Sequence, residues 1–170
     1  MKKLTGLMMI ALLPFLAMAQ SKSVTNFQDK YSDHDDATFV TIKGSLFNLI
    51  ASVADYDDKD DPDEDLQAFG RIADGIKSME VLRVPFYETD LNREELATFK
   101  KALQKEGYEE FIMVKEGKEL VNVLAQGAED EIRNMLVMVE EKEDFTLISI
   151  NGTLSMKDLS YLSKNHSNFH

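Results

Sequence analysis

The chain has 170 residues, with 31 acids against 19 bases and a formal net charge of −12. So acidic a surface repels phosphate backbones and anionic bilayers, which excludes nucleic acid as a partner. There is no cysteine, which excludes disulfides, thiol nucleophiles and thiolate metal sites.

The chain opens with a leader. Met1-Lys2-Lys3 is basic, Leu4 to Leu16 is apolar, and Ala17-Met18-Ala19 is a small-x-small site ahead of Gln20. That order predicts a cleavable secretory signal over residues 1–19 and a mature protein in the periplasm or outside the cell. Gln20 stands where a lipoprotein presents its acylated cysteine, and no later apolar run reaches about 18 residues. The mature chain is therefore expected to carry neither a lipid anchor nor a transmembrane segment. Its remaining length fits one domain that buries a core without staples.

Residues 20–37 are polar, with one short helix expected where Val24, Phe27 and Tyr31 share a face. Thr38–Lys43 reads as a strand. A helix follows from Gly44-Ser45, with Leu46, Phe47, Leu49, Ile50 and Val53 forming a stripe wide enough to predict deep burial. Residues 55–65 are a self-repelling acidic run, expected as a solvated loop. A short helix carrying Leu66, Phe69 and Ile72 comes next. Met79–Phe86 reads as a strand with Leu82, Val84 and Phe86 on one face, ending near Pro85 or lying at an edge. Asn92 with Glu95 three residues on predicts a capping box. Leu96, Phe99 and Leu103 form the stripe of that helix, and Gly107 its stop.

The last third changes character. Phe111–Lys115, Glu119–Leu124, Ile132–Glu140 and Phe145–Ile150 are apolar runs of β type, separated by turn residues. They predict an antiparallel meander whose third strand, apolar on both faces, is central. Asn151-Gly152 reads as a turn. Ser155 with Asp158 then caps a last helix bearing Met156, Leu159 and Leu162, before a frayed tail over 164–170. The fold class is α+β, a single domain over 38–163 with a mostly antiparallel sheet of about five or six strands and helices packed on one face.

Chemistry is sparse. Asp55, Asp57, Asp58, Asp60, Asp61 and Asp63 are the one set dense enough to offer oxygen ligands, with Ca²⁺ as the cation they would suit. An EF-hand loop from Asp55 meets Lys59 at a ligand position and Leu66 where Glu is needed. A loop from Asp61 meets Leu66 where Gly is needed. Both registers fail, so a solvated loop is expected and no metal site is assigned. His34 lies among Asp33, Asp35 and Asp36, and an exposed histidine in a polar linker is the simpler reading. Met79, Met113, Met135, Met138 and Met156 read as core filling. Sequons at Asn151 and Asn165 are short enough to arise by chance. The G-x-S-x-G elbow, H-E-x-x-H, P-loop and G-x-G-x-x-G are all absent, so no catalytic residue, cofactor or enzyme activity is expected.

The leader with its Ala-Met-Ala-Gln junction, the Phe39-Val40-Thr41-Ile42 strand running into Leu46-Phe47, the Ile76–Val84 segment and the closing Phe145–Leu154 stretch resemble the DUF4252 family of exported Bacteroidetes proteins. The resemblance implies a small exported α+β domain and no activity or ligand residues. It also implies a setting near extracytoplasmic-function sigma factors, which leans toward envelope signalling.

The first expectation is thus a non-catalytic exported protein that engages another envelope protein with a basic surface, with the acidic run as the contact. A cation- or small-ligand-binding module, with Ca²⁺ at the acidic run, is the alternative. A hydrolase whose carboxylates meet only in three dimensions is the next.

Overall fold

The computed structural model describes residues 21–54, 64–87, 89–128 and 130–166. The elements follow in the order α1 (Lys22–Tyr31), β1 (Thr38–Lys43), α2 (Gly44–Ala54), α3 (Glu64–Gly75), β2 (Ile76–Pro85), α4 (Arg93–Lys105), β3 (Glu109–Glu116), β4 (Glu119–Ala128), β5 (Glu131–Glu140), β6 (Asp144–Ser155) and α5 (Met156–His166). The six strands form one sheet in the order β1-β2-β6-β5-β4-β3, with every neighbouring pair antiparallel. The class is the expected α+β. The C-terminal meander is present, and β2 with β1 is added to its β6 side. β2 ends at Pro85, opposite Asp144, in the interior of the sheet rather than at its edge.

Strand alternation splits the apolar residues between two faces. Leu82, Val84, Leu124, Leu136, Met138, Phe145 and Leu147 point to one face and pack against α1 and α4. Met79, Met135, Ile148 and Ile150 have the opposite parity and pack with Phe47, Ile72, Met156 and Leu159 of α2, α3 and α5. Helices therefore flank both faces rather than one, because both alternations are apolar and each needs cover.

α1 is sealed at both ends. Ser21 caps it, its Oγ accepting from the Val24 amide at 3.1 Å. Val24, Phe27 and Tyr31 are buried, and Phe27 stacks on Phe99 of α4 with ring centroids 4.3 Å apart. Asn92 caps α4 as expected, its Oδ1 accepting from the Glu94 and Glu95 amides. The reciprocal half of the box does not appear: the Glu95 carboxylate accepts from Lys30 Nζ at 3.1 Å and from Tyr31 Oη at 3.2 Å, tying α4 to α1. Gly107, at φ +84°, makes the left-handed stop.

Two further expectations are corrected. Asn151-Gly152 is not a turn but the middle of β6. The glycine is required because a Cβ on Gly152 would lie 2.2 Å from the Gly75 carbonyl oxygen, at a bulge in the β2–β6 ladder. α2 is not deeply buried. Phe47 and Ala51 face the protein, while Leu46, Leu49 and Val53 are 49%, 61% and 63% exposed. Its stripe is wider than the one contact face that α3 and the sheet offer.

Candidate functional site

The sheet carries two neighbouring rows of residues with opposite fates. On the α1/α4 face, Phe39, Leu82, Leu147, Met138, Asn122 and Met113 stand in register across all six strands. The four central members are at most 1% exposed. One residue along, on the other face, the register runs Val40, Val81, Ile148, Val137, Val123, Ile112. This is an unbroken ladder of β-branched aliphatics. Its central members are half-buried and its ends, Val40 and Ile112, are 46% and 52% exposed. The next row on that face is Thr38, Arg83, Thr146, Val139, Val121, Val114. α2, α3 and α5 cover the Met79–Ile150–Met135 end of this face, reach Ile148, and leave the rest of the ladder open.

Those twelve positions hold one charge, Arg83, where the chain's 29% charged composition would place about three or four. Arg83 Nη2 donates to Asp144 Oδ2 at 2.5 Å, so the open face is neutral. At strand spacings of about 4.8 Å and pair repeats of about 6.8 Å it spans roughly 29 by 14 Å, or about 400 Å². That is the size of the largest apolar patch on an ordinary monomer, which is often functional. Edge strand β3 is exposed on both faces: Ile112 and Val114 end the two open rows at 52% exposure each, Met113 on the α1/α4 face is 60% exposed, and Phe111 is 49% exposed. Phe111 is the extra residue of a bulge there. Met113 is thus surface, not core filling. Met138 is fully buried, and Met79, Met135 and Met156 pack in the second cluster.

A second feature lies at the start of α4, where the β2–α4 connection, the β3–β4 turn and the β5–β6 turn converge. They enclose a groove of about 550 Å³. Phe86 and Leu91 give it an apolar floor. Arg93, Lys115, Lys118 and Lys142 line it with Glu140 and Glu141. Behind it, Lys100 Nζ holds Glu140 at 2.8 Å and Asn122 at 2.9 Å, and Asn122 donates to Glu110 at 2.6 Å.

Two carboxyls are depressed, and neither lines that groove. Burial alone would raise Glu106, but the hydroxyls of Ser21 and Ser23 and the Ser23 amide donate to it at 2.5, 2.6 and 3.0 Å and hold it below the ordinary range. Asp158 is held down by the Arg71 guanidinium, which donates at 2.7 Å, against a smaller opposing effect of burial. Both are seams between helices.

Asp55, Asp57, Asp58, Asp60, Asp61 and Asp63 lie outside the described residues. No group of three or more His, Asp or Glu side chains is placed to hold a metal among the described residues. His34 is half-buried, stacked on Tyr31 at 6.0 Å, with Asp33, Asp35 and Asp36 exposed beside it. The Asn151 amide donates to Ser78 Oγ at 3.1 Å within the sheet. No described helix is long and apolar enough to cross a membrane.

The open ladder and the cationic groove were not singled out from the sequence. The ladder had a signal: strands apolar on both faces exceed what five short helices can cover. The groove had none, since its four cations are spread over residues 93–142.

A family described as "Domain of unknown function (DUF4252)" matches residues 31–162. No curated protein and no solved structure matches the chain.

Proposed function

The chain belongs to the DUF4252 family, and on that footing we propose that it is a non-catalytic exported protein that holds another protein on the open half of its sheet. The carrying observation is the neutral ladder Val40–Val81–Ile148–Val137–Val123–Ile112, half-covered in a chain this rich in charge. Removing apolar area from water contributes about 25 cal/mol per Å² before association costs are met, so a contact of this size gives a reversible partnership. The net charge of −12 sets the partner's chemistry. A second copy brings the same charge and is repelled, whereas a protein with an apolar centre and a basic rim is attracted. The acids over 55–63 add to that attraction. The leader over residues 1–19 supports export, with an accessory part in envelope signalling as its setting.

The test is crosslinked capture from the protein's own host, run in parallel with wild type and with Val40→Lys/Ile112→Lys. Both sites are surface positions at opposite ends of the ladder, so the fold should persist, which a thermal melt checks. The expected outcome is one envelope protein recovered by wild type, lost in the variant, and released as salt rises. Equal recovery by both removes the sheet face from the function. Salt-insensitive recovery removes the basic rim.

A further inference from the structure

We propose that the groove beside the start of α4 binds a small amphipathic organic anion, a carboxylate on an apolar body. The chain's acids outnumber its bases 31 to 19, yet this lining holds four bases and two acids. One of those acids, Glu140, is already paired with Lys100 from behind. Lys142 makes a loose, exposed pair with Glu143 at 3.6 Å. Arg93, Lys115 and Lys118 have no ion-pair partner among the described residues. Like charges gathered in a concavity repel one another, and an anion seated between them relieves that repulsion.

The floor selects the rest of the ligand. Leu91 is 3% exposed and Phe86 is half-buried against the main core, so the base of the groove is fixed and apolar. A volume near 550 Å³ lies within the range of small-molecule sites. The cations are placed by ordered backbone. Gly117, at φ +59°, is the first residue of the two-residue β3–β4 turn, Lys118 is the second, and Lys115 lies two positions before Gly117 on β3. The α4 amides are not the attraction, because Asn92 already accepts from two of them. Lys115 and Glu140 lie on the α4 face of the sheet, so this groove and the open ladder are separate surfaces and neither reading depends on the other.

The probe is decanoate, titrated into the isotope-labelled chain and followed by NMR. Decanol and decyltrimethylammonium at equal concentration are the controls. Decanoate should shift signals of Phe86, Leu91, Arg93 and the β3–β4 turn in a saturable way, and bind at least about fivefold tighter than decanol. Lys115→Gln/Lys118→Gln, both fully surface sites, should weaken decanoate about fivefold or more, the sum of two exposed charge contacts. Lys101→Gln on α4, outside the groove, should leave it within twofold. Absent saturation, equal affinity for decanol, equal loss in the Lys101 variant, or shifts confined to the Val81–Ile148–Val137 face would each overturn the proposal.

Discussion

Val81 and Leu82 are neighbours in one strand, and Val137 and Met138 in another, yet they live in different surroundings. Leu82 and Met138 are sealed under α1 and α4, while Val81 and Val137 share a face that helices cover at one end only. The difference lies in the layers above the sheet, not in the strands. An apolar alternation states that a face wants cover; it does not state whether the cover belongs to the same chain. On the α1/α4 side the cover is covalent. On the other side the same demand is met for Met79, Ile150, Met135 and Ile148 and left open for the rest of the ladder.

The sharpest way to break that contrast is to truncate both sides. Met138→Ala should cost about 2–5 kcal/mol in denaturant melts, as buried large-to-small changes do, and Val137→Ala nearer 1. Equal costs would mean that the ladder is already packed in the isolated chain. Gly152→Ala probes the covered end of the open face. Its methyl would meet the Gly75 carbonyl at 2.2 Å, and a melt should register about 1–3 kcal/mol of overpacking. A full native melting temperature would show that the β2–β6 bulge yields there.

Ser21→Ala tests the seal on the α1/α4 side. It removes the α1 cap and one donor to Glu106, and a loss of about 1 kcal/mol is expected. The same seam gives a pH signature. Glu106 and Asp158 have folded-state pKa values below their unfolded ones. The folded state therefore binds their protons less readily, and their stabilisation is complete above the ordinary carboxylate range. It fades as pH falls through the depressed values. Melting temperature should drop on acidification below about pH 4.5, and drop less in Glu106→Gln. The smallest effect is Ile112→Lys, expected within about 0.5 kcal/mol of wild type in stability. Its consequence should appear in partner capture alone.

Much of this architecture is legible in the sequence because local signals act locally. Asn92 and Gly107 bracket α4, Val24, Phe27 and Tyr31 face one way on α1, and the meander is punctuated by its own turns. What was not legible depends on distant backbone. Gly152 looks like turn chemistry until Gly75 is placed against it. The α2 stripe fixes which residues share a side, but not that Leu46, Leu49 and Val53 fall beyond the reach of α3. Arg93, Lys115, Lys118 and Lys142 converge only because three connections end at the same edge of the sheet.

The order of strands also governs assembly in time. β4, β5 and β6 each pair with the preceding strand across short turns, whereas β2 reaches β6 across 61 positions, as in the Arg83–Asp144 contact. Closing the longer loop carries the greater entropic cost, so hairpins should form ahead of it. Pulse-labelled hydrogen exchange should find β4–β6 amides protected before those of β1 and β2. During that interval the outer strand of the nascent sheet is β6, with Phe145 and Leu147 bare along it. The segment that becomes the best-shielded strand of the finished molecule is, for a moment, its most adhesive edge.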